Sequence, residues 1–156
     1  MPSSSTVFLH PMLVHFPIVL LIALALVDHA AVLTGGNLGA RGCLSTGAAW
    51  LAVVAGVTGV MAFANGVLVY DRAVLDGAAG LDGGLHRDLA LVTAGLASLW
   101  AVVRGWLWSR DVALRRMWNV LVAAASFALA ILVVVTALRG HALILPHGVD
   151  VVPRTG

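Results

Sequence analysis

Residues 117–138 read MWNVLVAAASFALAILVVVTAL, a stretch without one charged side chain. A helix needs about 20 apolar residues to cross the hydrocarbon core of a bilayer, so this run is a membrane span. Three more runs of that kind lie upstream, at about residues 11–33, 44–69 and 85–107. None alternates with a period of two, which argues against a β-barrel. Helices are the other structure that satisfies every backbone hydrogen bond inside lipid. The links, residues 34–43, 70–84 and 108–116, are short and force successive helices to run antiparallel. The expected fold is all-α and integral to the membrane, a four-helix up-down transmembrane bundle forming one domain over residues 1–156.

Composition agrees. Hydrophobic residues make up 61% of the chain and charged ones 10%, with mean hydropathy +1.03. A soluble domain is about 45–50% apolar and about 25% charged. Too little charge is present to clothe a water-facing enzyme, a disordered chain or a nucleic-acid-binding surface. A lone cysteine, Cys43, excludes an internal disulfide and a cysteine-only metal site.

Charge suggests the orientation. Let side A hold the N-terminus. Side B then receives Arg41, Arg110, Arg115 and Arg116, with Arg104 within snorkelling reach, against Asp28 and Asp111, a net +3. Side A receives Arg72, Arg87, Arg139 and Arg154 against five aspartates, a net −1. The positive-inside rule makes side B, with loops 34–43 and 108–116, cytoplasmic. Trp100, Trp106, Trp108 and Trp118 gather toward side B as an interfacial belt would. Both termini are expected to be exoplasmic, in a bacterial inner membrane.

The chemistry falls on side A. His10 and His15 open the first span, His86 opens the third, and His141 and His147 follow the fourth; only His29 lies near side B. If Pro11 starts the first helix, His15 lies about 7 Å below its entrance. An ionisable group at that depth is a functional candidate. An up-down bundle places spans one and three on a diagonal, which suits two histidines on opposite faces of a macrocycle. His15 and His86 are the natural pair of ligands for haem b. Arg87 and Arg72 stand where they could pair with propionates, and Gly56 and Gly59 could let a flat cofactor, or another helix, approach closely. A protein of this kind would pass electrons near the exoplasmic face, to an exoplasmic carrier. A second reading is a bare Cu, Zn or Fe site made by His10, His15, His86 and His147. His10 and His15, five residues apart, are roughly 140° apart on one helix. They cannot easily share one small ion unless His10 lies outside the helix. A third reading has no cofactor: an accessory subunit of a larger membrane complex, its histidines structural. Asn65, polar in an otherwise apolar span, could orient a histidine or cap the helix end. The segment DRAVLDGAAGLDGGLHRD, residues 71–88, reads as a flexible exoplasmic loop, since its aspartates lack calcium-loop spacing.

Three segments carry a family resemblance: HPMLVHFPIVLL at residues 10–21, GVTGVMAFANG at 56–66 with LHRD at 85–88, and RGHALILPHGVDV at 139–151. The chain resembles the bacterial four-span membrane proteins catalogued as domain of unknown function 2231. Their opening is of the type HP-x-x-VHFP and their closing segment of the type GG-x-LVY-x-HG-V-x-V. Here His141 replaces the second glycine, and Leu145 and Pro146 stand where Tyr and a variable residue are usual, while His147, Gly148 and Val149 match. The resemblance implies four spans and no particular activity.

The charge asymmetry has a direct test. Alkaline phosphatase fused after Gly156 is expected to be active, because side A should face the exterior. Activity confined to a cytoplasmic reporter at that position would reverse the topology.

Overall fold

The computed structural model describes the backbone of residues 5–75 and 81–147, and the side chains of residues 12–68, 70–71 and 84–141. Four helices follow in order: α1 (Ser5–Leu33), α2 (Cys43–Leu75), α3 (Leu81–Ser109) and α4 (Arg116–His147). All four contain a segment long and apolar enough to cross a membrane: Met12–Leu33, Cys43–Leu68, Gly84–Ser109 and Arg116–His141. At about 1.5 Å per residue each segment spans a hydrocarbon core about 30 Å thick.

The helices form a ring in which α1 touches α2 and α4, and α3 touches α2 and α4. Among the described residues no Cα of α1 comes within 8 Å of α3, nor any of α2 of α4. The expected up-down bundle is therefore present, with α1 and α3 parallel on one diagonal. Its interior is made largely of small residues. Ala48, Ala52 and Ala55 of α2 meet Ala97 of α3, Leu21 and Leu24 of α1, and Leu129 and Val133 of α4. Large apolar side chains such as Phe16, Leu26, Trp50, Val102 and Leu138 point outward, as a lipid-facing surface requires.

Three expectations about element bounds change. α1 begins at Ser5, so Pro11 lies inside the helix and so does His10. α2 continues to Leu75 and α3 starts at Leu81. Much of the segment expected to be a loop, residues 71–75 and 81–88, is thus helical, and Asp71 and Arg72 stand on α2. α4 runs on to His147. The cause is common to all three. A helix that has paid for nucleation in the membrane gains one hydrogen bond for each residue added, and it extends past the apolar run into water.

The side-B links are fixed by specific contacts. Gly35, with φ +75°, ends α1 in the left-handed conformation that glycine tolerates, and Gly36 N–H donates to Ala31 O at 2.7 Å. Asn37 donates from Nδ2 to Leu114 O at 2.9 Å and accepts from Leu114 N–H at 3.1 Å, tying the first link to the third. Arg41 N–H donates to Asp111 Oδ1 at 2.7 Å, and Arg41 Nη2 to Ser109 O at 2.9 Å. Gly39 lies so close to Val112 O that a Cβ would have no room.

Packing of α2 on α3 depends on Gly56. A Cβ there would sit 2.8 Å from Ala101 Cβ and 3.3 Å from Ala97 O. Gly56→Ala is expected to destabilise the bundle by about 1–3 kcal/mol, the usual cost of overpacking. Gly95→Ala, with nothing within 4 Å of the new methyl, should leave stability unchanged or raised. Thermal unfolding in detergent compares the two; equal midpoints would contradict the packing role.

Candidate functional site

The most heavily engaged polar groups lie toward side B. Asp28 of α1 and Arg104 of α3 meet across the diagonal, with Arg104 Nη2 donating to Asp28 Oδ1 at 2.8 Å. Both side chains are 0% exposed. Asp28 Oδ2 accepts from Ser126 Oγ of α4 at 2.6 Å. Ser126 Oγ accepts in turn from Trp100 Nε1 at 3.0 Å. Arg104 Nη1 donates to Leu38 O at 2.9 Å, and Leu38 N–H donates to Asn119 Oδ1 at 2.7 Å. The chain of bonds joins α1, α3, α4 and the first link into one unit.

This arrangement corrects the expectation for Arg104, which does not snorkel to the surface. A guanidinium has several donors in a fixed fork, and a buried carboxylate plus a carbonyl satisfy it better than a lipid interface reached by bending backward. Trp100 likewise belongs to the interior network and not to an interfacial belt, whereas Trp106 and Trp118 are exposed. With Asp28 and Arg104 paired out of water, side B still presents Arg41, Arg110, Arg115 and Arg116 against Asp111, all exposed, a net +3. A signal for the pair was present in the sequence. Each charge interrupts an apolar span, and each lies five residues before its helix end at Leu33 or Ser109.

The histidines are distributed as follows. His86 is half-buried on α3, and its ring occupies the space that a side chain on Gly140 of α4 would need: a Cβ there would be 2.7 Å from Cε1. His15 is exposed on α1. The side chains of His10, His147 and Arg72 lie outside the described residues. His141 is exposed on α4. His29, near side B, bonds through Nδ1 to Ala25 O at 2.7 Å and packs edge-on against Phe127 at 5.6 Å, a structural role. Among the described residues no three His, Cys, Asp or Glu side chains gather into a group that could hold a metal ion.

The remaining candidates are engaged locally. Arg87 is exposed, donates from Nη2 to Asp88 Oδ1 at 3.1 Å and lies 5.2 Å from the Tyr70 ring centroid. The space beside Gly56 is filled by α3, so this glycine serves helix packing. Gly59 faces Pro17 of α1, whose Cβ would be 4.0 Å from a methyl there. Asn65, near the side-A end of α2, has a buried Oδ1 with no hydrogen-bond partner among the described residues. Thr93 Oγ1 of α3 and Thr136 Oγ1 of α4 share a buried hydrogen bond of 2.8 Å. Ser126 and Asn119 are interior polar groups with no sequence signal of their own. Neither is distinguishable by pattern from the other small polar residues that face lipid-buried positions.

No curated protein and no solved structure matches the chain. A family model described as "predicted membrane protein (DUF2231)" matches residues 7–153. That match takes in the opening segment, the small-residue face of α2 and the closing segment. The chain belongs to the DUF2231 family of predicted membrane proteins.

Proposed function

We propose that this protein is a small membrane-embedded b-type haem protein that passes electrons near the exoplasmic face, with one imidazole from α1 and one from α3 as iron ligands. The observation that carries the reading is the placement of His86: half-buried at the side-A end of one member of a parallel helix pair, α1 and α3, that stand apart across the bundle. Bis-imidazole ligation needs two histidines from opposite sides, and a diagonal pair supplies that geometry. Bound haem would supply a one-electron couple, whose potential follows from ligand identity, burial and hydrogen bonding to the imidazoles. The chain's own part is to hold the rings and exclude water. Gly140 admits the His86 ring, and Asn65 Oδ1 offers a buried acceptor for an imidazole N–H, which fixes tautomer and ring orientation. The protein would sit in a bacterial inner membrane with side B in the cytoplasm, and its redox partner would be an exoplasmic carrier or a neighbouring membrane subunit.

A second reading, an accessory subunit without a cofactor, is favoured by one feature. An apolar groove of about 420 Å³ lies on the membrane-facing surface of α1 and α2, lined by Leu20, Val27, Leu44, Gly47, Trp50 and Val54 among others. Such a groove suits a helix of a larger complex.

The visible spectrum of detergent-purified protein, oxidised and then reduced with dithionite, separates the two. The haem reading expects a Soret band with a sharp α band on reduction, lost in His86→Ala and kept in His29→Ala. A colourless protein that also fails to take up added hemin would overturn it in favour of the accessory role.

A further inference from the structure

The apolar groove on the membrane face of α1 and α2 has a definite length and a definite end. On α2 its lining runs from Cys43, the first residue of the helix, through Gly47 and Trp50 to Val54; on α1 it runs from Val27 to Leu20. From Cys43 to Val54 the helix rises about 16 Å. The hydrocarbon core is about 30 Å thick, so one leaflet accounts for about 15 Å of it. The groove therefore opens at the side-B water boundary, where α2 enters the membrane, and stops near the midplane. No charged side chain lines it.

A cation stands at its mouth. Trp50, which forms one wall, lies 6.4 Å from Trp108 of α3 between ring centroids, and the Arg41 guanidinium lies 5.7 Å from the Trp108 centroid. Arg41 is two residues before Cys43 and exposed. Its Nη2 donates to Ser109 O, its backbone N–H donates to Asp111 Oδ1, and its side chain has no carboxylate partner among the described residues. These bonds and the indole hold the guanidinium at the interface and leave further donors of its fork for water or a ligand. Arg110, Arg115 and Arg116, all exposed, add positive charge to the same boundary.

We infer that the groove is a phospholipid site in the side-B leaflet. It takes one acyl chain of an anionic phospholipid along Gly47, Trp50 and Val54, with the phosphate headgroup beside Arg41. Length and charge decide among occupants. An acyl chain enters from the boundary and ends within its own leaflet, as the groove does. A partner helix, about 10 Å across, crosses both leaflets and would meet the groove along only half of its span. A guanidinium at the mouth of an apolar groove favours a hydrocarbon chain that carries an anion at one end. Gly47 keeps the groove open: it is exposed, and a Cβ there would have no heavy atom within 4 Å. The site is independent of the haem proposed above.

Native mass spectrometry of the whole purified chain in mild detergent, titrated with phosphatidylglycerol or phosphatidylcholine, tests it. Phosphatidylglycerol should bind as one tight equivalent, about fivefold tighter than phosphatidylcholine, the worth of one interfacial Arg toward an anionic lipid. Gly47→Phe fills the groove without touching the bundle interior and should weaken both lipids about tenfold or more, with the thermal midpoint unchanged. Gly47→Leu replaces it if the ring lowers that midpoint. Gly95→Phe, at an equally open glycine of α3, should bind as the parent does. Arg41→Gln should abolish the preference for phosphatidylglycerol, and Arg41→Lys should restore most of it. Tight phosphatidylglycerol binding that survives both Gly47 variants would overturn the groove as the site. Equal affinity of the parent for the two lipids would overturn the anionic headgroup. Loss of a bound second copy or of another protein in Gly47→Phe, with lipid binding unchanged, would give the groove to a helix and overturn the lipid site.

Discussion

The buried ion pair between Asp28 and Arg104 is the constraint on which the bundle depends. The four helices are apolar all round, and lipid tails are as apolar as leucine, so burial of apolar surface gives them little preference for one another or for one register. Close packing of Ala and Gly brings α2 against its neighbours but tolerates sliding. A charge pair does not. Either ion alone inside the membrane is costly, and the guanidinium and carboxylate can satisfy each other at one axial position only. The pair joins the diagonal helices α1 and α3, whose Cα atoms come nowhere within 8 Å of each other among the described residues. Through Ser126 and Leu38 it also engages α4 and the first link.

The two ends of the bundle consequently differ. At side B the links are laced together by Asn37, Arg41, Asp111 and Asn119, and the ion pair lies beneath them. That end is closed and engaged in structure. At side A the polar groups set into the bundle are the half-buried His86 imidazole, the Asn65 amide and the Thr93–Thr136 pair, none of which closes a loop among the described residues. Chemistry that exchanges electrons with a partner requires access from water at one end and rigid positioning from the other. For the proposed haem protein the side-B base would supply positioning, carried to the side-A end along α1 and α3.

Much of this was legible in the sequence. The four runs of apolar residues and their short links lead directly to the up-down bundle, because lipid leaves the backbone no alternative to helix. The side-A gathering of histidines also follows from counting spans. Which side chains face the interior did not follow, because that depends on rotational register, which no apolar periodicity reveals in a helix that is hydrophobic on every face. Pro11 read as the helix start with His10 at its entrance; the helix begins upstream at Ser5. Arg104 read as a snorkelling surface charge because its partner is distant in sequence. The matching positions of Asp28 and Arg104 before their helix ends hold the missing register, once the two are recognised as a pair.

The most direct test of this account is a double-mutant cycle on the ion pair, read by reversible unfolding in mixed detergent. Asp28→Leu and Arg104→Met alone should each cost about 3–5 kcal/mol, since each leaves one charge buried without its partner. The double variant should lose less than either single one, because no uncompensated charge remains. Additive losses, or single variants as stable as the parent, would contradict the claim that this pair sets the register of the bundle.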